Sequence, residues 1–269
     1  MKTIYAKITK QQLIVGAAFL TGSAFAGIHV DNITRDITTK AQQGDTHTML
    51  IQNGMMRTNG SATSSIILKG SSIIMIDDKR KQYREMTKED LKKMAAGAGD
   101  AMKKMQEQMK KMTPEQRAMM EKMMGSKIPG GIGSPDKPDV WESKSLGTSA
   151  TVEGRKCQNW NLIRNGAPYE ELCVVPYNTL PGKEDFQKVF KEMSEAFGDL
   201  AKSVPGADQS AKARMSINGY AVRTRQYASD GKFRPTETIM TKWVEESIPA
   251  SMFEPPAGYV KAELPKRPD

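Results

Sequence analysis

Methionine is the residue type with the most chemical scope in this 269-residue chain, and ten lie between Met86 and Met124, both ends counted. Met102, Met105, Met109 and Met112 recur at steps of three, four and three, which sets them on one face of a helix. Met119 and Met123 carry the pattern into a second helical run. Thioether side chains are flexible and polarizable, so such a face can repack around varied apolar ligands or partner helices. Thioethers also bind Cu(I), a soft ion. A third reading is a plain core face that uses Met where other proteins use Leu.

The chain has two histidines, His29 and His47, and neither stands in a zinc-binding spacing. His29 matters because of its distance from an expected cleavage point. Cutting after Ala26 exposes Gly27-Ile28-His29, whose terminal amine, two amide nitrogens and imidazole form the square-planar set that Cu(II) or Ni(II) favours. That chelate needs a free terminus and is lost if His29 is fixed in a strand. The acidic pairs Asp77-Asp78, Glu170-Glu171 and Glu245-Glu246 are adjacent, so on strands the two members of a pair point to opposite faces. Neither a Gly-x-Ser-x-Gly elbow nor a phosphate-cradling glycine loop occurs. These residues predict a protein that is not an enzyme and needs no cofactor, with copper as the alternative.

The elements that must position these residues begin with an export signal. Lys2, Lys7 and Lys10 precede the apolar run from Leu13 through Ala24, and Ala24-Phe25-Ala26 supplies a small-x-small cleavage pattern. The run falls short of the about 20 apolar residues of a membrane span. Residues 1–26 are therefore read as a signal peptide and residues 27–269 as a single domain in the periplasm, with no transmembrane segment. Removing three lysines lowers the formal net charge from +9 to +6. A basic exported protein of this kind meets anionic membrane, cell wall or metal rather than nucleic acid. Cys157 and Cys173 are the two cysteines, and in an oxidising compartment they pair. A three-residue turn over Arg164, Asn165 and Gly166 would set them directly opposite each other, whereas a two-residue Asn-Gly turn would miss that register by one residue.

Gly27 to Met86 reads as short antiparallel strands: one from Ile28, one over Thr46 to Ile51 ending at Asn53-Gly54, then Ser65 to Leu68, Ser72 to Ile76 and Gln82 to Glu85. Thr87-Lys-Glu-Asp90 starts a helix, and Thr113-Pro114-Glu115-Gln116 starts another, within a Met/Lys-rich insert spanning 87–125. Residues 126–140 form a Pro/Gly-rich linker. Strands resume at Trp141 and run through the cysteine hairpin. Phe186, Val189, Phe190, Met193, Phe197 and Leu200 draw an amphipathic helical stripe. A last hairpin spans Tyr220 to Val244 around Asp230-Gly231, and the proline-rich tail Phe253 to Tyr259 lies along the sheet.

Ser72-Ile-Ile-Met-Ile-Asp77, Tyr83-Arg-Glu-Met86, Gly154 to Cys157 and Phe253-Glu-Pro-Pro-Ala-Gly-Tyr259 together resemble an uncharacterised family of bacterial envelope proteins, the domain of unknown function numbered 4412. Such proteins look like relatives of the lipoprotein carriers of the LolA and LolB type. The resemblance implies an α+β fold: a strongly curved antiparallel sheet, a half-barrel, with the Met-rich helices packed on one face around an apolar cavity. It supplies no catalytic residues. The expected role is binding an apolar small molecule, a lipid or an envelope-protein segment between sheet and helices, through Met102, Met105, Met109, Met112, Met119 and Met123. The rival readings are a copper-handling protein and a structural envelope protein.

Overall fold

The computed structural model describes residues 27–70, 72–111, 113, 115–116, 139–203 and 207–264. The expected signal peptide, Met112, Met119, Met123 and the expected linker up to 138 lie outside the described residues. Among the described residues twelve strands form one open sheet in the order β12-β6-β5-β4-β3-β2-β1-β11-β10-β9-β8-β7. These are β1 (Gly27–Asp36), β2 (Gln42–Gln52), β3 (Met55–Ser61), β4 (Ser64–Lys69), β5 (Ser72–Asp77) and β6 (Gln82–Met86), then β7 (Trp141–Val152), β8 (Arg155–Arg164), β9 (Ala167–Pro176), β10 (Gly219–Tyr227), β11 (Phe233–Glu246) and β12 (Val260–Lys261). Every pairing is antiparallel except β12 on β6. Among the described residues, the helices α1 (Lys88–Lys111), α2 (Lys183–Ser203) and α3 (Ala207–Met215) accompany the sheet in an α+β fold, and residues 115–116 begin another.

Alternation along β2 and β3 shows how the sheet is covered on both faces. Ile51 and Met56 join an apolar cluster with Ile28, Val30, Trp243 and, from α2, Phe186 and Val189. Leu50 and Met55, next to them on the same strands, join a second cluster with Ile67, Ile74, Ile76, Ile248 and Phe253. Neighbouring strand residues point to opposite faces. So α2 covers one face of this half of the sheet and the C-terminal segment covers the other. That tail is fastened by Phe253, which is fully buried, and by the Tyr259 hydroxyl donating to Asp78 at 2.9 Å. A third cluster, Leu162, Leu172, Val174, Ala213 and Ile217, docks α3 on the opposite end of the sheet.

Both helix starts read from the sequence have their caps. Thr87 N and Oγ1 donate to the Asp90 carboxylate, and Asp90 N donates back to Thr87 Oγ1 at 3.2 Å. These Thr87 hydrogen bonds, the hydroxyl first, hold the Asp90 carboxyl below its ordinary value. Thr113 and Gln116 repeat the reciprocal pair at 3.1 and 3.3 Å.

The cysteine hairpin corrects the expected turn. Arg164 pairs with Ala167 across a two-residue turn, Asn165-Gly166, with φ of 52° and 79°. Such a turn suits hairpin twist because Asn and Gly tolerate positive φ. The register is then reset by a bulge between Leu162 and Ile163, and Cys173 comes to pair with Asn159 rather than Cys157. Cys157 and Cys173 are thus diagonal neighbours, close enough to bond at a Cα separation of 5.3 Å. Closing a loop of 16 residues contributes about 3 kcal/mol in the chain-entropy model.

Candidate functional site

Of the methionines expected to bind ligand, Met102, Met105 and Met109 lie on α1, and their side chains fall outside the described ones. The helix packs chiefly against α2 and reaches the sheet at β6. From α2, Phe186 and Val189 enter the apolar cluster on the sheet. Leu91, on the first turns of α1, is buried.

Gly27, Ile28 and His29 open β1, a central strand flanked by β2 and β11. Ile28 pairs with Ile51 on one side and Glu245 on the other, and His29 with Leu50 and Val244. The His29 ring is held in a polar network, with Nδ1 2.5 Å from Glu246 Oε1 and Nε2 3.1 Å from Asp31 Oδ1. Lys242 Nζ sits 3.0 Å from the same Nδ1. As placed, these residues do not form the amine–amide–imidazole chelate. Its amides belong to the ladder, and making it requires the first three residues of β1 to leave the sheet.

A groove of about 380 Å³ lies where β9 hands over to α2. Val175, Leu180 and Trp243 make its buried floor, and Arg155, Lys156, Pro176, Thr179 and Pro181 line its sides. Arg155 and Lys156 come from the start of β8, just after the Glu153-Gly154 turn that joins it to β7. Leu180 and Pro181 follow a 3-10 turn, Tyr177–Thr179, which the Thr179 hydroxyl closes onto Pro176 O at 2.8 Å. Trp243 is held in place by its indole N–H, which donates to Pro181 O at 3.0 Å. Gly182, with φ of 65°, then turns the chain into α2. A Cβ there would stand 2.5 Å from Ile28 Cγ1, so only glycine permits this close approach.

The floor of the groove is continuous with the core beneath α2. Val175, Leu180 and Trp243 belong to the same cluster as Phe186 and Val189. The Phe186 ring lies 5.3 Å from Trp243, 5.5 Å from Tyr220 and 4.3 Å from Phe190. Burial pushes the Tyr220 and Tyr177 hydroxyls up, so both stay neutral at physiological pH. The arrangement is an apolar slot with a basic edge, of a size within the roughly 300–1,000 Å³ of small-molecule sites. The amphipathic stripe of α2 was legible in the sequence, but this slot was not, because three separate stretches of chain assemble it. The adjacent Arg155-Lys156 pair after a Gly turn was the one local signal.

No family model matches the chain, and no curated protein matches it, so its likeness to the domain-of-unknown-function family rests on the motifs quoted above. Among solved structures it is similar to an uncharacterized conserved protein from Thermus thermophilus, with a TM-score of 0.41 and 5% identity over 89% of this chain and 91% of that one. It is also similar, more weakly, to a LolA superfamily protein from Nitrosomonas europaea, with a TM-score of 0.24 and 7% identity over 85% of this chain and 89% of that one. Likeness at this level carries neither protein's role to this chain.

Proposed function

We propose that this chain is a non-enzymatic periplasmic binding protein that holds an amphiphile with an apolar tail and an anionic head. The tail lies in the groove over Val175, Leu180 and Trp243, and reaches toward the core that α2 covers. Arg155 and Lys156 meet the head. The observation that carries this reading is the continuity of the groove floor with the apolar cluster under α2. Export is supported by the signal-like first 26 residues and by the Cys157–Cys173 disulfide, a bond that persists in oxidising compartments. Among the described residues no helix is long and apolar enough to cross a membrane.

Reversing both charges, Arg155→Glu with Lys156→Glu, should weaken binding of a fluorescent long-chain fatty acid by about tenfold at low salt. The difference should shrink as ionic strength rises, because exposed charges are screened. Equal affinity of parent and variant would remove the basic edge from the site. A parent that takes up no fatty acid would remove the carrier reading itself.

A further inference from the structure

A second cavity, of about 370 Å³, opens between the tips of the β8–β9 and β10–β11 hairpins and shares no lining residue with the groove. Its ring-bearing walls are Tyr169 and Tyr227, and Arg164 and Ser229 line its polar side. Each ring is fixed by a neighbour. Trp141 meets Tyr169 edge-on at a centroid distance of 5.0 Å, and Tyr227 lies 4.5 Å from Phe233. The Tyr227 hydroxyl also donates to Asn161 Oδ1 at 3.4 Å. Arg164 sits over both Trp141 and Tyr169, 5.7 and 5.9 Å from their centroids. Its Nε and Nη2 donate to Asp139 Oδ2 at 2.9 and 2.6 Å, and Asn165 Nδ2 donates to Asp139 Oδ1 at 2.6 Å. Asp139 is buried.

Two properties of this cavity select its ligand. The first is charge: a buried carboxylate neutralises Arg164, so the guanidinium offers hydrogen bonds without a net attraction for anions. The second is lining: beside the two rings its apolar wall is the short Ala167, Pro168 and Ala228, with no Leu, Ile, Val or Met among the lining residues, so it grips an alkyl chain less than the groove does. The cavity therefore offers a pair of pre-set aromatic rings, a short apolar wall and polar groups beside them. A sugar ring matches that layout, since its C–H face stacks on an aromatic face and its hydroxyls project around the edge. Rings held in place before binding lose little freedom when the ligand arrives.

We propose that this cavity is a binding site for a neutral saccharide, stacked on Tyr169 or Tyr227 and hydrogen-bonded at its edge by Arg164 and Ser229. The test titrates the mature protein with chitotriose and with maltotriose and follows the ring proton signals of the two tyrosines by NMR. At least one of the two sugars should shift both sets of signals saturably. Tyr169→Ala or Tyr227→Ala should weaken that binding about tenfold, ~1.4 kcal/mol. Tyr169→Phe and Tyr227→Phe, which keep the rings, should retain it. Where an alanine variant fails to fold, Ser229→Ala at an exposed position takes its place and should lower affinity several-fold. Absence of any shift with both sugars at millimolar concentration overturns the proposal. So does unchanged affinity in folded alanine variants or in Ser229→Ala. Fatty-acid binding at the groove should be the same in all of these variants, so the two sites stand or fall separately.

Discussion

Alanine in place of Phe186 should destabilise the protein by about 3–5 kcal/mol, because a fully buried aromatic ring is replaced by a cavity. Phe186 is 1% exposed and touches Phe190, Tyr177, Tyr220 and Trp243 at once. Those four rings come from α2 itself, the 3-10 turn, β10 and β11, so one side chain ties the helix to two strands and to the floor of the groove. Urea denaturation of the parent and Phe186→Ala measures the loss directly. Phe186→Leu, which keeps most of the volume, should cost less than half as much. A loss below about 1 kcal/mol for alanine would show that this cluster does not fasten α2.

Glu237→Gln should cost about 3 kcal/mol near neutral pH, the penalty for leaving the partly buried Arg35 and Arg225 guanidiniums without their carboxylate. The Glu237 side chain has no solvent exposure, and it accepts from Arg35 Nε and Arg225 Nε, both at 2.8 Å, and from Lys40 Nζ at 3.3 Å. Burial pushes its carboxyl up, but hydrogen bonds from Arg35 and Arg225, with Lys40 last, outweigh it and hold the group below its ordinary value of 4.5. A depressed folded value means that the stabilisation is complete above about 4.5 and is lost as pH falls through the folded value. The parent should therefore lose stability in acid more steeply than Glu237→Gln does. Glu170 behaves in the opposite sense. Burial, only partly offset by Arg214, raises its carboxyl, so its contribution is present below 4.5 and is lost as pH rises through the raised value. Glu170→Gln at neutral pH should leave stability unchanged or slightly higher, since the amide still accepts from Arg214 without the cost of a buried charge. Chemical denaturation at several pH values separates the two, and a large loss in both variants would contradict the assignment.

Much of the fold was legible where local chemistry and the final structure agree. Thr87 and Thr113 announced helix starts because their caps are made within four residues. The stripe from Phe186 to Met193 announced a buried face because its period is that of a helix. Two of the elements not read from the sequence show the physical reasons. β3, Met55–Ser61, carries Arg57, Asn59 and Gly60 and shows little apolar alternation; its pairing comes from β2 and β4 on either side. α3 has almost no amphipathic pattern, and is held instead by Ala213, by Ile217 just beyond its end, and by Arg214 on Glu170. The cysteine register departs from the expected one because the turn takes two residues rather than three and a bulge at Leu162 and Ile163, which has no sequence signature of its own, shifts the pairing by one more. The proposed site was hidden for the same kind of reason. Lys156, Leu180 and Trp243 are far apart along the chain, and only the path from β9 through the 3-10 turn brings them together.

The most direct test of ligand binding in the groove is the indole N–H signal of Trp243, followed by NMR as the protein from Gly27 onward is titrated with a long-chain fatty acid. That N–H is bonded to Pro181 O on the wall of the groove, whereas Trp141 and Trp160 belong to the separate cluster around α3. If the groove holds the apolar tail, the Trp243 signal shifts saturably and those of Trp141 and Trp160 stay in place. If Trp243 does not move while fatty acid is present in excess, the groove is not a ligand site and the proposed function is wrong.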